Sequence, residues 1–299
     1  MNSSQWEYVK KHYMRAEVRK EIAEYCARRW VAIHCEERDD GARPMIRYWS
    51  RSKPLTIRYE DDVINILEKF SSIKPRAFYA TAHIYGRLDS IEDLASRENI
   101  IGSSPTWDID SRDGDWRKVV KKAMEIMEVL ERHGVVKSVF FKWSGRGAHI
   151  HVHPRAFSSD LLRKIDPLDV AYSVTQYIVV KIEPEDGIVV ENKIDVQRVF
   201  TAPLSLHRSV DRVAVCVPPD ELENFHVEWA NPGGYKHFPH AWRRYEEGEG
   251  DELAEKAYAA VGPYLAGRAR RRRKHKPLDQ EILEAFRKFE LWHYLEDQG

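Results

Sequence analysis

From residue 5 to residue 30 the apolar positions Trp6, Val9, Tyr13, Val18, Ile22 and Tyr25 recur at roughly helical spacing, with no glycine or proline between them. The pattern predicts one amphipathic helix over that span. Alternation then takes over. Trp30 to His34, Pro44 to Trp49 and Leu55 to Tyr59 read as short strands of a small sheet, parted by Asp39-Asp40-Gly41 and Lys53-Pro54. Asp61 to Phe70 reads as a helix capped by Asp61 or Asp62, and Ala77 to Tyr85 as a strand after Pro75.

The middle of the chain turns on Thr106-Trp107-Asp108-Ile109-Asp110-Ser111, which follows the breaker cluster Gly102 to Pro105. Two acids alternate there with apolar residues, the period of a strand. An amphipathic helix is predicted from Trp116 to His133, with Val119, Val120, Ala123, Ile126, Met127 and Leu130 inward and Gly134 as its stop. Val135 to Trp143 and Ala148 to His153 read as a hairpin joined by Ser144-Gly145-Arg146-Gly147. A helix over Leu168 to Ile182 ends before Pro184. Ile194 to Phe200 and Arg212 to Val217 are further strands, the second stopped by Pro218-Pro219. Helical spacing returns in Leu253 to Leu265 and Ile282 to Tyr294. Strands mixed with long helices predict an α+β protein. Residues 1–245 form the expected catalytic domain and residues 246–299 a helical tail.

Composition narrows the class. The chain has 299 residues, 42% of them hydrophobic and 32% charged, which suits a globular protein with a sizeable core rather than a disordered one. No apolar run is long enough to span a bilayer, and the polar stretch from Met1 to Arg19 lacks a signal-peptide core. Cys26, Cys35 and Cys216 are scattered, with neither a disulfide framework nor a zinc-binding pair, so a reducing, cytoplasmic setting is expected. Net charge is zero, so any case for nucleic acid has to be local. Arg268 and Arg270 to Lys276 form a basic run, set against an acidic stretch from Glu246 to Glu255. Arg270, Arg271, Arg272, Arg273 and Lys274 are candidate template contacts, although such runs are as often simply solvated.

On a strand, residues i and i+2 share a face, so Asp108 and Asp110 would stand side by side. Two carboxylates that close repel unless a cation lies between them, and oxygen ligands suit Mg²⁺ or Mn²⁺. By itself D-x-D also fits an exposed strand edge. The Ser144 to Gly147 turn adds Ser144, two glycines (Gly145 and Gly147) that let backbone N–H groups approach a ligand, and the Arg146 guanidinium, which matches phosphate oxygens. His149, His151 and His153 follow on one strand. His149 is nearest the expected phosphate, whereas His151 also fits a core histidine or a metal ligand. Asp195 is a lone acid in an apolar segment. If its strand lay beside that of Asp108 and Asp110, three carboxylates would converge on two divalent ions, with Arg198 and His207 near phosphates.

Together D-I-D, S-G-R-G-A-H-I-H-V, and I-D followed by P-L-S-L-H resemble the three-motif signature of archaeo-eukaryotic primases, in particular the small catalytic subunits of archaeal DNA primases. Weaker similarity reaches back to Tyr13–Val18, Arg28–Ala32 and Ala77–Ala82, so the match covers most of residues 8–225. The resemblance implies the primase core, an RRM-like sheet packed against a second α/β unit, with flanking helices. It implies Asp108, Asp110 and Asp195 as catalytic acids holding two Mg²⁺ or Mn²⁺ ions. Ser144, Gly145, Arg146, Gly147, His149, Arg198 and His207 would hold the incoming nucleotide. The partners implied are an NTP or dNTP, a single-stranded DNA template and its primer, with a large primase subunit or other replication and repair proteins beyond these. Two departures stand out. The family's Lys or Arg two positions before the proline of the third motif is Thr201 here, with Arg198 as a substitute. Nothing between Asp110 and Ser144 could form the family's zinc knuckle, so no zinc site is expected. That pattern fits a reduced member, a stand-alone primase-polymerase or an end-joining polymerase domain.

Two other classes use some of the same residues. A nicking endonuclease would take its metal from the His149 to His153 run and its nucleophile from Tyr172 or Tyr177, but would leave the three acids idle. A catalytically silent nucleic-acid-binding module would keep the fold without needing the acids.

Overall fold

A computed structural model describes residues 3–37 and 41–265. The predicted N-terminal helix is two helices, α1 (Ser3–Tyr13) and α2 (Ala16–Cys26), because Arg15 is extended at φ −68°, ψ 128°. No glycine or proline breaks it; tertiary bonds do. Tyr13 Oη donates to Arg76 O at 2.5 Å and accepts from Leu206 N at 3.0 Å, while His12 Nε2 reaches Leu204 O at 2.8 Å. The end of α1 is thus pinned to the segment that leads into His207. Leu204 itself is left-handed at φ +58°, a conformation costing on the order of 1–2 kcal/mol for a residue with a side chain, and these bonds help to hold it there.

Two antiparallel sheets follow. The first has β1 (Val31–Cys35), β2 (Met45–Ile46), β5 (Pro75–Thr81) and β12 (Val199–Thr201), in the order β12-β5-β1-β2. Between these in sequence lie the small hairpin β3 (Tyr48–Ser50) and β4 (Lys53–Pro54), and α3 (Asp61–Lys69). Leu55 to Tyr59 is buried in part but is not a strand; Val31 N bonds Leu55 O and Leu55 N bonds Arg47 O. Nor do Asp61 and Asp62 cap α3. The Asp62 carboxylate instead accepts from the N–H groups of Arg58 (2.7 Å) and Tyr59 (3.0 Å), ahead of the helix. The expected Ala77 to Tyr85 strand is broken at Ala82, where β6 (His83–Tyr85) leaves to pair with β7 (Ile100–Ser103) beyond the short α4 (Ile91–Ala95).

The second sheet holds β8 (Thr106–Ser111), β9 (Val139–Trp143), β10 (Ala148–Val152), β11 (Ile188–Asn192) and β13 (Val215–Val217), in the order β11-β8-β10-β9-β13. Its sequence alternates because its faces differ. Trp107, Ile109, Ala148, Ile150, Phe141 and Trp143 lie on one side and are almost wholly buried. That side is covered by α5 (Trp116–Glu131), through Val119, Ala123, Ile126 and Leu130, and by α7 (Pro167–Val179), to which Trp107 Nε1 donates at Thr175 O (3.0 Å). Asp115 caps α5 through Arg117 N at 2.9 Å, and Asp166 with Pro167 starts α7. Past α6 (Ser159–Leu162) and α8 (Pro239–Arg243), α9 (Asp251–Val261) packs on α7. By its contacts the chain divides after Tyr264, so α9 belongs with the sheets. The basic run, including Arg270 to Lys274, and the helix expected over Ile282 to Tyr294 lie outside the described residues. Among those described, no helix is long and apolar enough to cross a membrane.

Two buried histidines give the fold a pH signature. His12 and His83 are both held down to about 4, burial being the largest cause, with Arg15 and Arg29 respectively adding to it. Unfolded histidine takes a proton near 6.5 whereas these do not until about 4, so the unfolded state binds more protons in between. Stability is therefore expected to fall as pH drops from 6.5 toward 4, by up to about 3 kcal/mol for each group. Urea unfolding across that range checks this; a flat profile would contradict it.

Candidate active site

Register across the second sheet lines up Glu191 (β11), Asp108 (β8), His149 (β10), Lys142 (β9) and Cys216 (β13) in one row on the face opposite α5. Asp110 stands one pleat further along β8, on the same face. Asp108, Asp110 and Glu191 are the one group of three acids or metal-ligating side chains whose donor atoms lie within 4.8 Å of one another among the described residues. The first sheet meets this face through Phe200 of β12, whose ring is 4.9 Å from His149 and 5.5 Å from His151.

Electrostatics within the group are uneven. Burial works to raise the Asp108 carboxyl, but His149 Nε2 at 3.1 Å and the Lys193 ammonium together hold it well below the usual carboxylate range. Asp110 goes the other way: burial first, then the Asp108 charge, hold it above its ordinary value. Like-charged neighbours divide in this manner when one takes the hydrogen bonds and the other the repulsion. Lys193 Nζ also lies 2.9 Å from Glu191 and 3.8 Å from Asp110. His149 is lowered, chiefly by burial and partly offset by Asp108, so its ring is neutral near pH 7. With Nε2 on the carboxylate, its buried Nδ1 has no partner.

The glycine turn abuts these acids. A Cβ on Gly147 would sit 2.5 Å from both Asp110 Oδ1 and Ile109 O, so no larger residue fits without movement. Gly145 has φ +122°, and a Cβ there would lie 2.8 Å from the Cβ and Cγ of His207. Ser144 closes the turn, its N and Oγ both donating to Gly147 O at 2.9 and 3.0 Å. Arg146 is exposed at the tip. His207 is held down to about 4 by burial and by the cations Arg208, Arg146, Arg76 and Arg43. Arg76, buried on β5, holds this loop by donating to His207 O (3.0 Å) and to Asp211 (2.7 Å). The turn, His207 and the exposed Arg146 and Arg208 thus offer hydrogen-bond donors and positive charge beside the acids, suited to phosphate oxygens.

The third motif differs from its expected form. Ile194 to Phe200 is not one strand. Residues 193–198 form a loop, and β12, which begins at Val199, pairs with β5 in the first sheet rather than with β8. The neighbours of β8 are β10 and β11. Asp195 is not in the group of donor atoms within 4.8 Å of one another that holds Asp108 and Asp110; its Oδ1 accepts from Gln197 N (2.8 Å) and its Oδ2 from Arg198 Nη2 (3.4 Å). Its carbonyl is bound by the buried His83 at 2.8 Å. An Asp that can bond the N–H two residues on favours a turn over a strand. Arg198 also donates to Lys193 O at 2.7 Å, so it braces this loop and not the glycine turn. Thr201 is buried and bonded to Tyr79.

Glu191 and Lys193 are the residues sequence reasoning missed. Glu191 is on β11 and Lys193 just past its end, and β11 carries a signal: a β-branched run, Ile188 to Val190, between Gly187 and Asn192. Arg76 was also readable, as a charge inside the apolar run Pro75 to Thr81. His151 is a core residue, bonded to Thr106 Oγ1 at 2.8 Å and stacked on Phe140, and His153 caps a turn by accepting from Arg155 N. Tyr177 packs on His133 and Tyr172 on Tyr264. Among the described contacts neither tyrosine meets His149, His151 or His153.

The donor set fits a hard divalent ion: carboxylate oxygens only, no thiolate, and a glycine where any side chain would strike Asp110. No family model matches the sequence, and no curated protein matches it. Among solved structures it is similar to the polymerase domain of ligase D from Mycobacterium tuberculosis, in complex with DNA, with a TM-score of 0.52 and 14% identity over 87% of this chain and 90% of that one. At that identity the likeness is one of fold: this chain has a mixed α+β architecture consistent with the primase-polymerase fold of that domain.

Proposed function

We propose that this chain is a template-dependent nucleotidyltransferase that joins NTPs or dNTPs to a 3′-hydroxyl on a DNA template. The observation that carries the reading is the junction of two chemistries: of the paired Asp108 and Asp110 carboxylates, Asp110 lies against the Ser144–Gly147 turn, its Oδ1 2.5 Å from where a Gly147 Cβ would be. A phosphoryl-transfer site needs cation ligands and phosphate donors in contact, and little else from the protein.

Asp108 and Asp110, with Glu191 beside them, would hold divalent cations. Bound there, such ions would supply Lewis acidity for the attacking hydroxyl and for the departing pyrophosphate. The turn's backbone N–H groups, Arg146 and His207 would grip the triphosphate and align its α-phosphate. Neutral His149 fixes the Asp108 carboxylate through Nε2 and keeps it ionised. Both a primase and an end-joining polymerase fit these residues; the solved neighbour, a ligase D polymerase domain in complex with DNA, lends support to the second.

The test is synthesis by the purified chain on single-stranded and on primed or broken-end templates, with labelled NTPs and dNTPs and with Mg²⁺ or Mn²⁺. Metal-dependent incorporation directed by the template is expected, and its absence on every substrate would sink the reading. The third acid can be assigned in the same assay. From the geometry, Glu191→Gln should weaken Mn²⁺ binding more than Asp195→Asn. The reverse order would show that the 193–198 loop turns the Asp195 carboxylate toward β8, as the primase resemblance implies.

A further inference from the structure

Lys193 touches every member of the acid group, yet nothing in the proposed chemistry uses it. Its ammonium bonds Asp108 Oδ2, lies 2.9 Å from Glu191 Oε2 and lies 3.8 Å from Asp110 Oδ2. Three carboxylates from two neighbouring strands thus converge on one positive centre. A divalent ion would bind the same oxygens at about 2.0–2.6 Å. Ammonium and metal cannot both occupy those lone pairs.

We propose that Lys193 is a resident counterion that holds the metal's place, so that ion entry is an exchange in which its ammonium is displaced. The inference rests on the metal-binding reading of Asp108 and Asp110. Three acids with one lysine still leave excess negative charge, which attracts a divalent ion while sparing the empty group its full repulsion. The tether suits the exchange. The Lys193 carbonyl is fixed by Arg198 Nε at 2.7 Å, so the backbone stays in place while a flexible four-carbon stem, about a quarter exposed (27%), can swing outward. Lys193 is on this view a positioning residue that sets metal affinity and keeps the acids in place before the ion arrives.

The test uses the full chain without nucleotide or DNA. Mn²⁺ affinity is measured by the electron paramagnetic resonance of free Mn²⁺, and melting temperature with and without the ion. Lys193→Met is expected to bind Mn²⁺ about tenfold tighter, equivalent to about 1.4 kcal/mol. Without metal it should melt several degrees lower, and Mn²⁺ should stabilise it more than it does the wild type. Lys193→Arg should stay close to the wild type. If Lys193→Met does not fold, Lys193→Gln carries the same expectation. Mn²⁺ binding that is unchanged or weaker in the neutral variants overturns the proposal. Asp108→Asn separates the two levels: if it abolishes Mn²⁺ binding and Lys193→Met gains none, only the exchange is wrong. If wild type and Asp108→Asn bind alike, the ion lies elsewhere and both readings fall.

Discussion

Asp108→Asn is expected to reduce nucleotide incorporation by at least about a thousandfold, on the scale seen when a charge-stabilising group is removed from an active site. Asp108 is the hub of the face: it accepts from His149, pairs with Lys193, and is paired by register with both Glu191 and His149. Asparagine keeps the shape but removes the anion. His149 and Lys193 bond different oxygens of Asp108, and in asparagine one of those atoms becomes an NH2 donor, so one of the two loses its acceptor. His149 and Lys193 hold the Asp108 carboxyl below its ordinary range despite burial, so the ionised group stabilises the fold at neutral pH. Its removal should therefore also lower the melting temperature, and activity is compared at a temperature where the variant stays folded. Steady-state incorporation on a primed template, alongside thermal unfolding, gives the two readouts. Activity within tenfold of the wild type would contradict the assigned role.

Gly147→Ala is the second large effect, and it acts by space. Its Cβ would lie 2.5 Å from Asp110 Oδ1 and from the Ile109 carbonyl, and the latter is backbone of a central strand that cannot simply turn away. Either β8 and the turn part, or Asp110 is displaced. A shift of about an ångström at a reacting centre can cost about a hundredfold in rate, and overpacking of this kind about 1–3 kcal/mol in stability. The variant is therefore expected to lose about two orders of magnitude in incorporation and to bind Mn²⁺ more weakly, while remaining folded. Wild-type incorporation and Mn²⁺ affinity in Gly147→Ala would show that the turn and the acids do not act together.

The legible parts of this chain were those whose signal is local. The D-I-D strand, the amphipathic helix after it and the glycine hairpin appear within a residue or a few of their expected bounds, because alternation, helical spacing and glycine each act over short stretches. What failed depended on distant partners. The helix expected over residues 5–30 is cut at Arg15 because Tyr13 and His12 are bonded to Arg76, Leu204 and Leu206. The third motif's segment, predicted as a strand whose acid meets Asp108 and Asp110 if it lies beside β8, instead turns at the Asp195 carboxylate, and β12 joins the other sheet. The other strand flanking β8, β11, has no motif or glycine hairpin to mark it as β10 has, and Glu191 on it and Lys193 just past its end share that lack. Motif spacing along a sequence sets which residues are near a site; it does not decide which carboxylate points inward.

One measurement addresses the central claim directly: a crystal structure of the chain with Mn²⁺ and a non-hydrolysable nucleoside triphosphate, with the ion located by anomalous scattering. The ion is expected on Asp108 and Asp110, with Lys193 turned away and the triphosphate against residues 144–147 and His207. Manganese bound away from β8, or a triphosphate that leaves that turn empty, would contradict the proposed chemistry.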